Sequence, residues 1–145
     1  MTQPKAGLLP LYLELYDRSN PKMRTRPEAF VGEIAAELEK RGISVARAPI
    51  CRLAGEFKSA VRKLEQKGVD SIITLHLAYS PSLESADLVA ASPQPVIVLD
   101  TTPTYGFGPT QDPAEIMYNH GIHGVQDFCN LLLQRGKPFQ IEAGH

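Results

Sequence analysis

The sequence predicts an α/β fold: three layers, with helices on both sides of a mainly parallel, five-stranded, flavodoxin-like (Rossmann-like) sheet. Three observations carry this. Short apolar runs alternate with amphipathic stretches along the chain, which is the pattern of βα units on a parallel sheet. Several amphipathic stretches carry helix start and stop residues at their ends. The 145 residues and 43% hydrophobic content suit one domain with a real core, residues 1–145, and no apolar run is long enough to span a membrane.

Residues 6–13 (AGLLPLYL) read as the first strand, in which Pro10 implies a bend or an edge position because it lacks a backbone donor. A helix over 27–41 follows, opened by Pro27 and Glu28 and closed by Gly42. Residues 43–47 (ISVAR) form the second strand, and a helix over 55–67 ends at Gly68. The third strand is 70–77 (DSIITLHL), followed by a helix over 83–91 and a fourth strand at 95–99 (PVIVL). Asp112 as N-cap, Pro113 in the first turn and Glu115 at the third position open a last helix, 113–135, before a short fifth strand at 138–142. The expected strand order is 2-1-3-4-5, with other Rossmann-like orders left open, since a single sequence does not encode order.

Charge and cysteine usage exclude several classes. A formal net charge of −1 with scattered lysines and arginines gives no basic stripe for nucleic acid. Cys51 and Cys129 lie far apart without C-x-x-C spacing, so neither a disulfide framework nor a thiol redox motif is indicated, and a reducing cytoplasm is the expected location. Walker A and G-x-S-x-G motifs are absent, and Gly106-Phe107-Gly108 lacks the third glycine of a dinucleotide fingerprint.

The densest chemistry lies in YNHGIHGVQDF, residues 118–128. Gly121 and Gly124 inside a helix cost roughly 2 kcal/mol relative to alanines, which implies close backbone approach at that point. At about 100° per residue, Tyr118, Ile122, Val125, Cys129 and Leu132 gather on the core side, while His120, His123 and Asp127 face outward. Gly124 then leaves room beside His123 for a ligand or a second chain. Two histidines one turn apart fall short of a closed metal shell, so no metal is expected to be bound by this chain alone.

Open parallel sheets bind ligands beyond the carboxyl ends of their strands. Glu14, Tyr16, Asp17 and Arg18 follow the first strand; His76, Tyr79, Ser80 and Ser82 the third; Asp100, Thr101, Thr102 and Thr104 the fourth. Such hydroxyls and carboxylates suit a sugar, although turn chemistry and helix capping explain Ser80, Ser82 and Thr101, taken singly, better.

GLLPLYLELYD (7–17), TLHLAYSPSLESAD (74–87), VIVLDTTPTYGFGP (96–109) and YNHGIHGVQDF together resemble the amino-terminal domain of the L-fucose/L-arabinose isomerase family. The Asn119, His123-Gly124, Phe128 spacing is its most specific part. The resemblance implies an aldose–ketose isomerase whose metal, usually Mn2+, is held by later domains beyond His145. It implies His123 as the catalytic side chain, lent to a neighbouring subunit. Glu14, Tyr16, His76, Tyr79, Asp100, Thr101, Asn119 and His120 are the expected sugar contacts. The alternative is a binding or interaction module of the same fold, with a sugar-sized crevice and no catalysis. Either reading allows association into a homo-oligomer through the His120/His123 face.

Overall fold

The computed structural model describes residues 3–106 and 108–145; Phe107, the centre of the Gly106-Phe107-Gly108 stretch, lies outside the described residues. One five-stranded sheet has the order β2-β1-β3-β4-β5, every neighbouring pair being parallel. The strands are β1 (Lys5–Leu11), β2 (Ser44–Arg47), β3 (Ser71–His76), β4 (Val96–Thr101) and β5 (Phe139–Gly144). The helices are α1 (Glu14–Ser19), α2 (Thr25–Lys40), α3 (Ala54–Gln66), α4 (Ala86–Ala91), α5 (Ile116–Asn119) and α6 (Gly121–Gln134). Short 3-10 turns cover Pro21–Arg24, Ser82–Glu84 and Pro113–Glu115. This is the expected three-layer α/β architecture of flavodoxin-like order.

Side-chain alternation along the strands builds a core on each face of the sheet. Leu9, Leu11, Ile72, Val96 and Val98 meet Phe57, Ala60, Val61 and Leu64 of α3, Val89 of α4, and Val125, Phe128 and Leu132 of α6. On the other face Leu8, Tyr12, Ile73, Leu75 and Leu77 meet Val31 and Ala35 of α2, with Ile97 and Leu99 only half-buried. Gly42 and Gly68, at φ 82° and 65°, sit just past the ends of α2 and α3 in the left-handed conformation that ends a helix, as the sequence predicts.

Several expectations need correction. Pro10 is in the middle of the sheet rather than at an edge, paired in register with Leu75 of β3 on one side. Its tolerance has a simple cause. The β2 ladder stops at Arg47, opposite Leu8, and on that side Pro10 needs only its carbonyl, which accepts from Cys51 N–H at 3.0 Å. The first strand therefore ends at Leu11, and the polar residues after it form the short helix α1, which the periodicity does not reveal. The expected helix 113–135 is broken. Asp112 caps only a 3-10 turn, its Oδ1 accepting from Ala114 N–H at 2.9 Å, and the helical path is interrupted at His120, whose φ and ψ are −114° and 27°.

Candidate functional site

The helix α6 lies unusually close to the end of β3, and its two glycines explain how. A Cβ on Gly121 would stand 2.4 Å from the His76 carbonyl oxygen, and one on Gly124 would stand 2.9 Å from His76 Nδ1 and 3.0 Å from Ser80 Oγ. The sequence therefore reads a close approach correctly, but the approached group is the chain's own strand end. Gly124 is buried, so it leaves no room for a ligand or a second chain. This docking rolls α6 so that Gly121, Gly124 and Phe128 join the core side and Ile122, expected there, is 39% exposed. The break at His120 also takes Tyr118 out of phase with α6, and it is only half-buried.

His76 is trapped beneath this helix. It is 3% exposed, its Nδ1 is 3.0 Å from Ser80 Oγ, and its ring meets Phe128 edge-on at 5.3 Å between centroids. Nε2 has no partner. Burial without a compensating charge pushes its pKa down from 6.5 to about 3, so the imidazole is neutral. Ser82 Oγ donates to Gly124 C=O at 3.3 Å and fastens the loop after β3 to the first turns of α6.

His120 joins three segments that are remote in sequence. Its Nδ1 lies 2.7 Å from the Ile116 carbonyl, which can only accept, so Nδ1 carries the proton. Its Nε2 receives the backbone N–H of Tyr79 at 3.3 Å and lies 3.0 Å from Tyr16 Oη, which donates to it. Both ring nitrogens are thus committed to structure in one neutral tautomer. Burial, opposed by the Ile116 bond, lowers the pKa of His120. The 15N shifts of the His120 ring should identify the Nδ1–H form at neutral pH; an Nε2–H ring would contradict this assignment.

The remaining sequence-predicted residues are not all in one place. Glu14 pairs with Arg18 at 3.0 Å. Asp17 receives Arg24 at 2.6 Å and Arg52 at 2.8 Å, while Arg52 also holds Glu56 at 2.5 Å. This ionic cluster locks the α1 and α3 starts together, and Arg52 carries no signal that marks it in the sequence. Asn119 Oδ1 accepts from Thr104 N–H at 3.1 Å and its Nδ2 donates to Glu115 C=O at 2.8 Å, tying the loop after β4 to α5. Strand alternation sends Asp100 to the α6 face and Thr101 to the opposite face, beside Leu38 of α2 and Arg41 just past its end. Burial raises the Asp100 carboxyl above its usual range. The thiols are inert: burial pushes Cys51 up to about 12 and Cys129 up to about 11.

Beside His120, α6 presents an open polar stripe. His123 and Asp127 are exposed, as the helical period predicts, and Asn130 extends the stripe by one turn. Asp127 and Asn130 line a groove of about 260 Å3 whose other walls are Tyr79, Pro81, Ser82, Leu83 and Leu131. Neither side chain has a hydrogen-bond or ion-pair partner among the described residues. Leu83, 76% exposed, gives the groove an apolar lip. Sequence reasoning placed Asp127 on the outward face but missed Asn130 and Leu83; the only signal was the continuation of the His123, Asp127 spacing by a further turn.

No group of three or more histidine, cysteine, aspartate or glutamate side chains able to hold a metal ion occurs among the described residues, and the committed nitrogens of His120 do not fit a ligand role. No helix among them is long and apolar enough to cross a membrane.

Comparison with known proteins corrects the family expectation. No family model matches the chain, and no curated protein does. Solved structures do match, among them the crystal structure of the Escherichia coli transcriptional repressor ascG, at 16% identity and a TM-score of 0.41. That match covers 97% of this chain and 59% of the repressor chain. The resemblance to L-fucose/L-arabinose isomerases is therefore not upheld, and the isomerase activity it implied goes with it.

Proposed function

We propose that this domain is a small-ligand-binding module of flavodoxin-like fold, and that the groove between α6 and the loop after β3 holds a sugar-sized polyhydroxylated ligand without chemical conversion. The observation that carries this is the pairing of two unpartnered polar side chains, Asp127 and Asn130, with an apolar wall of Leu83, Pro81 and Leu131. A sugar ring offers both surfaces: a C–H face for the apolar wall and hydroxyls that a carboxylate and a carboxamide can bind from two sides. Tyr79 adds an aromatic edge, and His123, one turn before Asp127, extends the polar rim.

Binding is favoured over catalysis by the wall opposite Asp127: Tyr79, Pro81, Ser82 and Leu83 bring no second carboxylate or imidazole to partner it in a proton-transfer step. Two buried, unpaired thiols suit a reducing compartment such as the cytoplasm.

Isothermal titration of the protein against a panel of neutral hexoses, pentoses and deoxyhexoses should give saturable binding of at least one, recovered chemically unchanged. Asp127→Ala should weaken that binding by roughly tenfold or more, the cost of losing one charged hydrogen-bonding partner. Binding unaffected by Asp127→Ala and Asn130→Ala together would remove the groove from consideration.

A further inference from the structure

We propose that the free edge of β5 is a self-association surface, which a second copy of this chain meets across a two-fold axis so that the two sheets join into one. This rests on different residues from the ligand groove and does not depend on it.

Among the described residues β5 pairs only with β4, which leaves its other edge open, and its six residues are exposed except for half-buried Phe139. Natural sheets blunt such edges with lysines, prolines or bulges. The strand FQIEAG contains none of these, and Glu142 is its only charge.

The surface beside the edge is apolar on the α6 side. In register, Val96 and Val98 pair with Phe139 and Ile141, so Ile141 lies on the face of the sheet that α6 covers. It is 48% exposed there. Helical geometry puts Ile122, Gln126, Cys129 and Leu133 within roughly a 60° arc on one flank of α6. Leu131 packs on the opposite flank, toward the Ser82–Glu84 turn, so this flank faces β5. Ile122 is 39% and Leu133 67% exposed. Three large aliphatic side chains on adjoining elements thus border an unpaired strand.

The strand is also complementary to itself. In an antiparallel pairing centred on Ile141, Ile141 of one copy faces Ile141 of the other. Gln140 then stands opposite Glu142 on the other side of the sheet. Within one chain Gln140 Nε2 already donates to Glu142 Oε1 at 2.5 Å, and the two-fold lets each carboxylate receive the carboxamide of the neighbouring copy instead. No like charges meet. Directly opposed side chains in such a ladder stand roughly 4.5–5.5 Å apart at Cβ.

The test is sedimentation of the protein, wild type and Ile141→Asp, together with oxidative cross-linking of Ile141→Cys and Gln140→Cys. Wild type should sediment as a dimer at micromolar concentration, and Ile141→Asp should raise the dimer dissociation constant by roughly a hundredfold with an unchanged circular dichroism spectrum. Ile141→Cys should form a covalent dimer, because self-opposed cysteines fall within disulfide reach, whereas Gln140→Cys should not, since its own copy lies about 7 Å or more away on the diagonal. A monomeric wild type, a dimer indifferent to Ile141→Asp, or equal cross-linking at both positions would overturn the proposal.

Discussion

Gly121→Ala should lower the unfolding free energy by about 3 kcal/mol, whereas Gly32→Ala in α2 should raise it by about 0.5–1 kcal/mol. Both residues are helical, and propensity alone predicts the same gain for each. The difference lies in what the new methyl meets. At Gly121 it would stand 2.4 Å from a backbone carbonyl oxygen of β3, which cannot move without disturbing the sheet, while at Gly32 nothing lies within 4 Å. Relief would require α6 to lift from β3 and reopen the contacts of His76, Phe128 and Ser80. Urea unfolding of the two variants checks this. Equal effects of the two substitutions would mean that α6 is not seated on β3 as described.

Acid should destabilise the protein through His76 by several kcal/mol. Its pKa is about 3 in the folded state against 6.5 ordinarily, so between these values the unfolded chain binds a proton that the folded chain does not. Stability is therefore complete above about 6.5 and falls as the pH is lowered toward 3. His120, whose pKa is also lowered, adds to the same slope. His76→Asn, which keeps a polar atom near Ser80 without a titrating ring, should be less stable at neutral pH but lose most of this pH dependence. Unfolding curves at pH 7, 6, 5 and 4 for both proteins test it; identical slopes would show that His76 is not the group responsible.

What could be read from the sequence follows the range of the interaction involved. Periodicity placed the strands and most helices because alternation and the 3.6-residue repeat are local properties, and Gly42 and Gly68 marked helix ends for the same reason. The glycine pair in α6 was legible as a close approach, since a helix interior has little other use for it. Its target was not, because His76 and Ser80 come from a strand whose register is fixed by pairing with distant residues. Pro10 misled for a related reason. Proline is barred from a central strand only where its missing donor is needed, and that depends on where β2 stops.

The same limit governs the site. His120 was expected to face outward on a continuous helix, but the break in the helix at that residue lets its ring reach Tyr16, 104 positions away in sequence. Asn119, expected at a ligand, spends both ends of its amide on holding a loop. Asp127 and His123 kept the outward direction that the helical period gives, because beyond the break α6 is regular.

The groove between α6 and the loop after β3 is where we propose that this domain takes its ligand. Amide shift mapping by 1H–15N correlation spectra during titration with a bound sugar tests it most directly. The largest perturbations should fall at residues 79–83 and 123–131, with little change at β2 or along α2. Perturbations concentrated elsewhere, for example on the opposite face beside Leu99 and Arg41, would contradict it.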